Sequence, residues 1–267
     1  MGVLRADRRQ FLWNAIPWLT ALGVLLLWQA LAELDTQYLP ERDVPPPTRI
    51  VHALASQART DRFWSAVEQT LKGWSVGLAL AFAVAMPLGI ALGLSRPAFR
   101  GVRSLVELLR PIPGVTLLPL LVLLVGLGFE LKLILVAVGA FWPLFLQSVY
   151  GVRNVEPVAL EMARAYRVGP LSRFWRVVVP SAAPYVATGL RISATVALEV
   201  AIAVELLVGG KGIGTELGAT SSSDRIPTMY AYVLTASLLG MVINVGARRL
   251  ERRLLHWHAS QRIVAAV

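Results

Sequence analysis

Few side chains in this sequence have the type and spacing that chemistry needs. His52, His256 and His258 are the only histidines, and there is no cysteine. Thiolate metal sites, cysteine nucleophiles and disulfides are thereby excluded. His256 and His258 sit among cationic residues, where a solvated or headgroup-facing role suits them better than metal binding. No Ser/His/Asp set or pair of carboxylates can be placed in one site. No catalytic residues and no metal are therefore expected. The run GGKGIGTELG at 209–218 looks like a phosphate loop, but Lys211 is followed by Gly212 instead of Ser or Thr. The spacing from an upstream glycine also fails that pattern. The chain is not expected to hydrolyse ATP or to bind a cofactor itself.

What remains is charge in apolar surroundings. Arg110, Arg191, Glu199 and Glu205 interrupt long hydrophobic runs. Ionisable groups at membrane depth are costly, and they face a bundle interior or a water-filled cavity. Arg110 opens the stretch RPIPGVTLLP, where Pro111, Pro113 and Pro119 each remove a backbone donor. Two readings of that break stand: it lines a solute pathway, or it kinks a helix for packing. Arg110 either attracts an anionic solute or serves the fold. Arg191 is expected to snorkel from its span, and Glu205 to pair within an outer gate. A second concentration of charge is EMARAYRVGPLSRFWRVVVP, from Glu161 to Pro180. On a helix, Glu161, Arg164 and Arg167 share one side, with Met162, Ala163, Ala165 and Tyr166 on the other. Glu161 and Arg164 are spaced for an i,i+3 pair. Gly169 and Pro170 are expected to bend the chain, Phe174 and Trp175 to lie on a second short helix, and Pro180 to end it. A partner groove and an anionic membrane surface both suit such an element.

The elements that must hold these groups are membrane helices. Of the 267 residues, 56% are hydrophobic and 16% charged, against about 25% charged in soluble domains. Mean hydropathy is +0.61. The net charge of +10 is spread in short clusters between apolar runs, so no nucleic acid is expected as a partner. About 20 apolar residues cross a bilayer, and six runs qualify, roughly 11–34, 67–94, 104–127, 132–150, 182–208 and 227–247. The first is too long for a signal peptide and is read as a retained span. With six alternating helices, the clusters around Arg5, Arg100, Arg164 and Arg252 fall on one side, which the positive-inside rule makes cytoplasmic. Both termini are then cytoplasmic. The chain is one transmembrane domain over 1–267. Segment 35–66 lies on the outer side and carries a short interfacial helix with Thr48 as its N-cap. Segment 154–180 is a cytoplasmic loop, and 209–226 an outer loop.

The stretch 161–180 resembles the EAA loop of ATP-binding-cassette (ABC) importer permeases, with Glu161, Ala163, Val177, Val179 and Pro180 at the matching spacing. Met162 replaces an alanine of that pattern, and Arg167 stands where a glycine is usual. LLRPIPGVTLLPLLVLLVGLG, GVRNVEPVALEMARAY and AVELLVGGKGIG are similar to the permeases for aliphatic sulfonates, taurine, and nitrate or bicarbonate. Arg110, Arg191 and Glu205 match positions of that branch, whereas Glu199 is peculiar to this chain. The resemblance implies the type I importer permease fold in a bacterial inner membrane. It implies a second permease copy, two ATPase subunits that hold ATP and Mg, and a periplasmic substrate-binding protein. Glu161, Met162, Ala163, Arg164, Tyr166, Arg167, Gly169, Pro170, Phe174 and Pro180 would couple to the ATPase. Arg110, Pro111, Pro113, Glu199, Glu205, Gly212 and Gly214 would belong to the pathway or gate. The solute implied is a small anion, with a thiamine precursor as the alternative. A stand-alone channel or carrier, and an intramembrane enzyme, are the competing classes.

Overall fold

The computed structural model describes residues 3–34 and 43–255, with side chains from Ile16 onward. The side chains of Arg5, Arg8 and Arg9, residues 35–42, and His256 and His258 lie outside that description. Among the described residues there are helices and no strands, as backbone self-satisfaction in lipid requires. They are α1 (Val3–Glu33), α2 (Pro47–Gln57), α3 (Asp61–Leu94), α4 (Arg96–Leu109), α5 (Leu118–Val125), α6 (Phe129–Arg153), α7 (Pro157–Ala165), α8 (Pro170–Arg173), α9 (Val179–Val208), α10 (Ile213–Ser222) and α11 (Ile226–Leu254). Among the described residues, four helices are long and apolar enough to cross a membrane, and six spans result if each of two bent pairs counts as one.

Several boundaries differ from the sequence expectation. The third span is not one helix. α4 and the segment Gly114–Val125 meet at 81°, because Pro111 and Pro113 interrupt the backbone ladder between them. α9 does not begin after a break at Pro180. A π-helical turn at Phe174–Val178 carries α8 directly into it. Pro180 sits in the first turn of α9, where its missing N–H costs little. Thr48 does not cap α2. Pro46 and Pro47 start that helix, and Thr48 instead meets Gln29, its Oγ1 accepting from Nε2 at 3.1 Å and its N–H donating to Oε1 at 3.2 Å.

The chain divides into two units, Met1–Trp64 with Leu217–Thr235, and Ser65–Glu216 with Ala236–Val267. In the first, Phe63 and Tyr232 pack with ring centres 5.8 Å apart. Tyr230 reaches the Asp43 carbonyl at 3.4 Å, and Ala32, Ile50 and Phe63 are buried. The second unit carries the candidate sites. Its core is the seam of α3, α6 and α9. On α3 a small residue recurs every fourth position: Gly73, Gly77, Ala81, Ala85, Gly89 and Gly93. A Cβ at Gly77 would run into Val136, and one at Gly89 or Gly93 into the α6 chain around Ser148 and Val152. Such stripes let backbones approach where no hydrophobic force drives helices together. Gly139 of α6 and Gly189 of α9 do the same for the α6–α9 contact, against Val200 and Gln147. Cross-helix hydrogen bonds add direction: Trp74 Nε1 to the Ala194 carbonyl at 2.8 Å, and Ser193 Oγ to the Ala140 carbonyl at 2.6 Å. The short helix α5 lays Leu118, Leu121 and Val122 on this core.

Candidate functional site

The most tightly built polar site lies where α9 ends and α10 begins. Glu205 is 1% exposed. Lys132, in the first turn of α6, donates to its Oε1 at 2.6 Å and to the Gln69 carbonyl at 2.9 Å. Thr70 of α3 donates to Oε2 at 2.8 Å, and the Gly214 N–H donates to the same oxygen at 3.0 Å. Thr70 Oγ1 in turn accepts from the Ile213 N–H at 2.9 Å. A carboxylate from α9 and a hydroxyl from α3 thus cap the free N–H groups of α10, and the negative charge meets the positive end of that helix. The two glycines singled out from sequence explain how the chain gets so close. A Cβ on Gly212 would overlap the Glu205 carboxylate, and one on Gly214 would overlap the Ile202 carbonyl. Gly212 also has φ +152°, and Gly209 and Gly210 have φ +81° and +105°, a region that favours glycine. A cavity of about 360 Å³ opens beside the pair, reached by Gln69, Phe129 and Lys211.

A second site is a groove of about 500 Å³ beside the broken helix. Arg110, Pro113 and Gly114 form one wall, Trp142, Gln147 and Tyr150 of α6 the floor, and Ile192, Val196 and Val200 of α9 the far wall. Gly114 lies against the backbone of Gly139, so the non-helical stretch rests directly on α6. Irregular backbone is thus backed by protein on one side and opens to the groove on the other, as membrane depth demands. Both Arg110 and Pro111 are exposed. The break therefore serves a cavity as well as packing.

The third site is the loop from α7 to α9. Val152, Val155, Val178 and Ala182 form its buried root, with Leu160, Phe174 and Val177 against them. Only Ala163 of α7 is buried. Val158, Met162 and Tyr166, at successive fourth positions, are 57%, 54% and 79% exposed. They form an apolar stripe that no described residue covers. Leu171 and Trp175 extend the exposed apolar surface, at 72% and 61%. α7 ends in two tight backbone bonds, Arg167 N–H to the Arg164 carbonyl and Val168 N–H to the Ala163 carbonyl, both 2.9 Å. This is the Schellman arrangement, and its left-handed position is Arg167, with φ +54°. The bend has not moved to Gly169, which has φ −58°. The chain keeps the turn that glycine would favour and makes it with arginine.

Sequence reasoning and geometry agree unevenly. Glu205, Gly212 and Gly214 come together in one knot, and Arg110 and Pro113 line one groove. Glu199 is apart from the knot, exposed on α9. Glu161 and Arg164 form no ion pair with each other. Both are exposed at the surface, where such pairs contribute little. Arg191 is not left to snorkel, because its guanidinium lies 3.7 Å from Glu251. Lys132 and Thr70 were missed. Lys132 stood at the start of the expected run 132–150, and its isolation among apolar residues was the available signal.

Residues 85–256 match the family of binding-protein-dependent transport system inner membrane components. The taurine transport system permease protein TauC of Escherichia coli (strain K12) is 30% identical over 244 residues, covering 89% of this chain and 88% of that protein. The putative aliphatic sulfonates transport permease protein SsuC of the same organism is 26% identical over 260 residues, covering 97% of each. Among solved structures, a chain from inward facing conformations of the MetNI methionine ABC transporter superposes with a TM-score of 0.63. The two are 21% identical, and the match covers 70% of this chain and 94% of that one. The broken helix, the α9–α10 knot and the exposed loop helix are thus features of an ABC importer permease subunit, and the chain belongs to the binding-protein-dependent transport system inner membrane component family.

Proposed function

We propose that this permease works as a pair of identical copies in a bacterial inner membrane, moving a small anion that a periplasmic binding protein delivers. Two copies of an ATP-binding-cassette ATPase, holding ATP and Mg, dock on the α7–α8 loop. The observation that carries this reading is the uncovered stripe of Val158, Met162 and Tyr166 beside Leu171. A short helix with an exposed apolar face, rigidly ended by the turn at Arg167, suits insertion into a groove on another protein. Its root is continuous with α9 through the π-helical turn, so a push on the loop reaches a spanning helix without a slack linker. Arg110, in its groove, supplies the attraction for an anion. The relatedness to taurine and aliphatic-sulfonate permeases supports an organic sulfonate as that anion.

The test is co-expression with the cognate ATPase, comparing the wild type with Met162→Asp and Tyr166→Asp. Each substitution puts a charge into the proposed contact without touching a buried residue. The expected result is loss of ATPase co-purification and of solute-stimulated ATP hydrolysis, with permease yield unchanged. Full co-purification of both variants would overturn the docking assignment.

A further inference from the structure

α4 carries charge that neither the core nor the sites above use. Arg96, Arg100 and Arg103 follow one another at four and three residues, which sets them within about 60° on one face. All three are exposed. Arg103 pairs with Glu107 at 2.7 Å, whereas Arg96 and Arg100 have no ion pair among the described residues. Phe99 and Val106 are half-buried and pack on the cluster of Leu144, Phe145 and Val149 in α6. Leu105 and Leu108 are 55% and 71% exposed, on a side centred about 150° from Arg96. The helix also lies across the bundle. Gly114 rests on Gly139, and Leu118, Leu121 and Val122 pack on the cluster that includes Leu131 and Leu135, so that segment runs along α6. α4 meets it at 81° and therefore runs close to the membrane plane. It does so at the Arg153 end of α6, where the Arg153 guanidinium lies 4.6 Å from the Phe99 ring centre and from which the chain leads on to α7.

A basic face, an exposed apolar face and an axis in the plane are what a helix at a bilayer surface requires. We propose that α4 is a membrane-surface helix that binds anionic phospholipid. Arg96 and Arg100 meet the phosphates of the leaflet on the α7–α8 side, and Leu105 and Leu108 enter its acyl layer. Charge and apolarity together choose this occupant. Clustered arginines attract anionic headgroups, and the same lipids supply the apolar layer that the two leucines need. An acidic protein surface or a solute in water would match the arginines and leave the leucines without a neighbour. The inference does not depend on which solute the permease carries.

The test uses the permease assembled with a cysteine-free ATPase, in vesicles of phosphatidylcholine and phosphatidylglycerol. A nitroxide at Leu108→Cys should be relaxed by oxygen, which concentrates in lipid, and one at Arg100→Cys by a water-soluble nickel chelate. Nickel access at both positions, or shielding of Leu108→Cys from both reagents, overturns the placement. The first result means water around the helix, and the second a protein neighbour. The charge is tested by native mass spectrometry of the wild-type complex offered both lipids in equal amount. Phosphatidylglycerol should be retained in preference. Arg96→Gln with Arg100→Gln should lower that preference about fivefold for each arginine removed. Arg96→Lys with Arg100→Lys should keep it, and ATPase co-purification should be unchanged in both. No preference in the wild type, or an unchanged preference in the glutamine variant, overturns the proposal. If ATPase co-purification falls instead, the face belongs to the ATPase, and if solute uptake alone falls, it belongs to the solute.

Discussion

Lys132 and Glu205 each leave water to reach the other. Their side chains are 8% and 1% exposed, and they meet at 2.6 Å. Removing one partner strands the other charge, which costs about 3–5 kcal/mol in buried pairs, whereas replacing both with apolar residues can be nearly neutral. Here the consequence differs on the two sides. Glu205 also accepts from Thr70 and from the Gly214 N–H, so its loss frees the start of α10 as well as Lys132. Among the described residues, Lys132 otherwise bonds only the Gln69 carbonyl and lies 5.5 Å from the Phe129 ring centre. Glu205→Leu should therefore lower the melting temperature of the purified permease more than Lys132→Met. The double variant should melt above Glu205→Leu alone, because it strands no charge. Simple addition of the two losses would mean that the pair is not coupled. The pairing crosses 73 residues of sequence, which is why the lysine could not be assigned from its own neighbourhood. The glutamate could, because a carboxylate in an apolar run signals itself.

At the scale of elements, what the sequence made legible was local. Proline at 111 and 113 announced the break, and long apolar runs announced the spans. What it hid was continuity. A proline at 180 reads as a stop, yet in the first turn of a helix it does no harm, and the preceding π-helical turn joins α8 to α9. The stripe of small residues at every fourth position of α3 was also readable, but it shares its period with ordinary helical amphipathicity and gains meaning only once α6 is seen against it. The end of α7 gives a sharp energetic case. Left-handed backbone at a residue with a Cβ costs about 1–2 kcal/mol. Glycine there would avoid that cost but lose about 0.5–1 kcal/mol more in chain entropy on folding. Arg167→Gly should therefore stabilise the turn by about 0.5–1 kcal/mol, visible as slower hydrogen exchange at the amides of residues 167 and 168. The control is Gly169→Ala, where φ is −58° and no atom lies within 4 Å of the new methyl. It should be tolerated. Faster exchange in the glycine variant would mean that the arginine side chain itself holds the turn.

For the molecule as a whole, orientation follows from length and charge together. α9 has 30 residues and is about 45 Å long, longer than the roughly 30 Å hydrocarbon layer. The α7–α8 loop precedes it and the Gly209–Gly212 turn follows it, so an α9 that crosses the membrane puts the two on opposite sides. Arginine gives the expectation of which side is which. Arg153, Arg164, Arg167, Arg173 and Arg176 crowd the end before α9, whereas the turn after it holds Lys211 alone. On the bias toward cytoplasmic lysine and arginine, the loop is expected inside and Lys211 outside. The absence of cysteine from the sequence makes this directly measurable, since any single cysteine is the only thiol. Arg164 and Lys211 are both exposed and take no part in the Lys132–Glu205 knot. With a maleimide that enters the periplasm but does not cross the inner membrane, Lys211→Cys should be labelled in intact cells. Arg164→Cys should be labelled only after the inner membrane is opened. The reverse pattern would place the loop on the outside, away from any ATPase, and would remove the docking assignment together with the orientation.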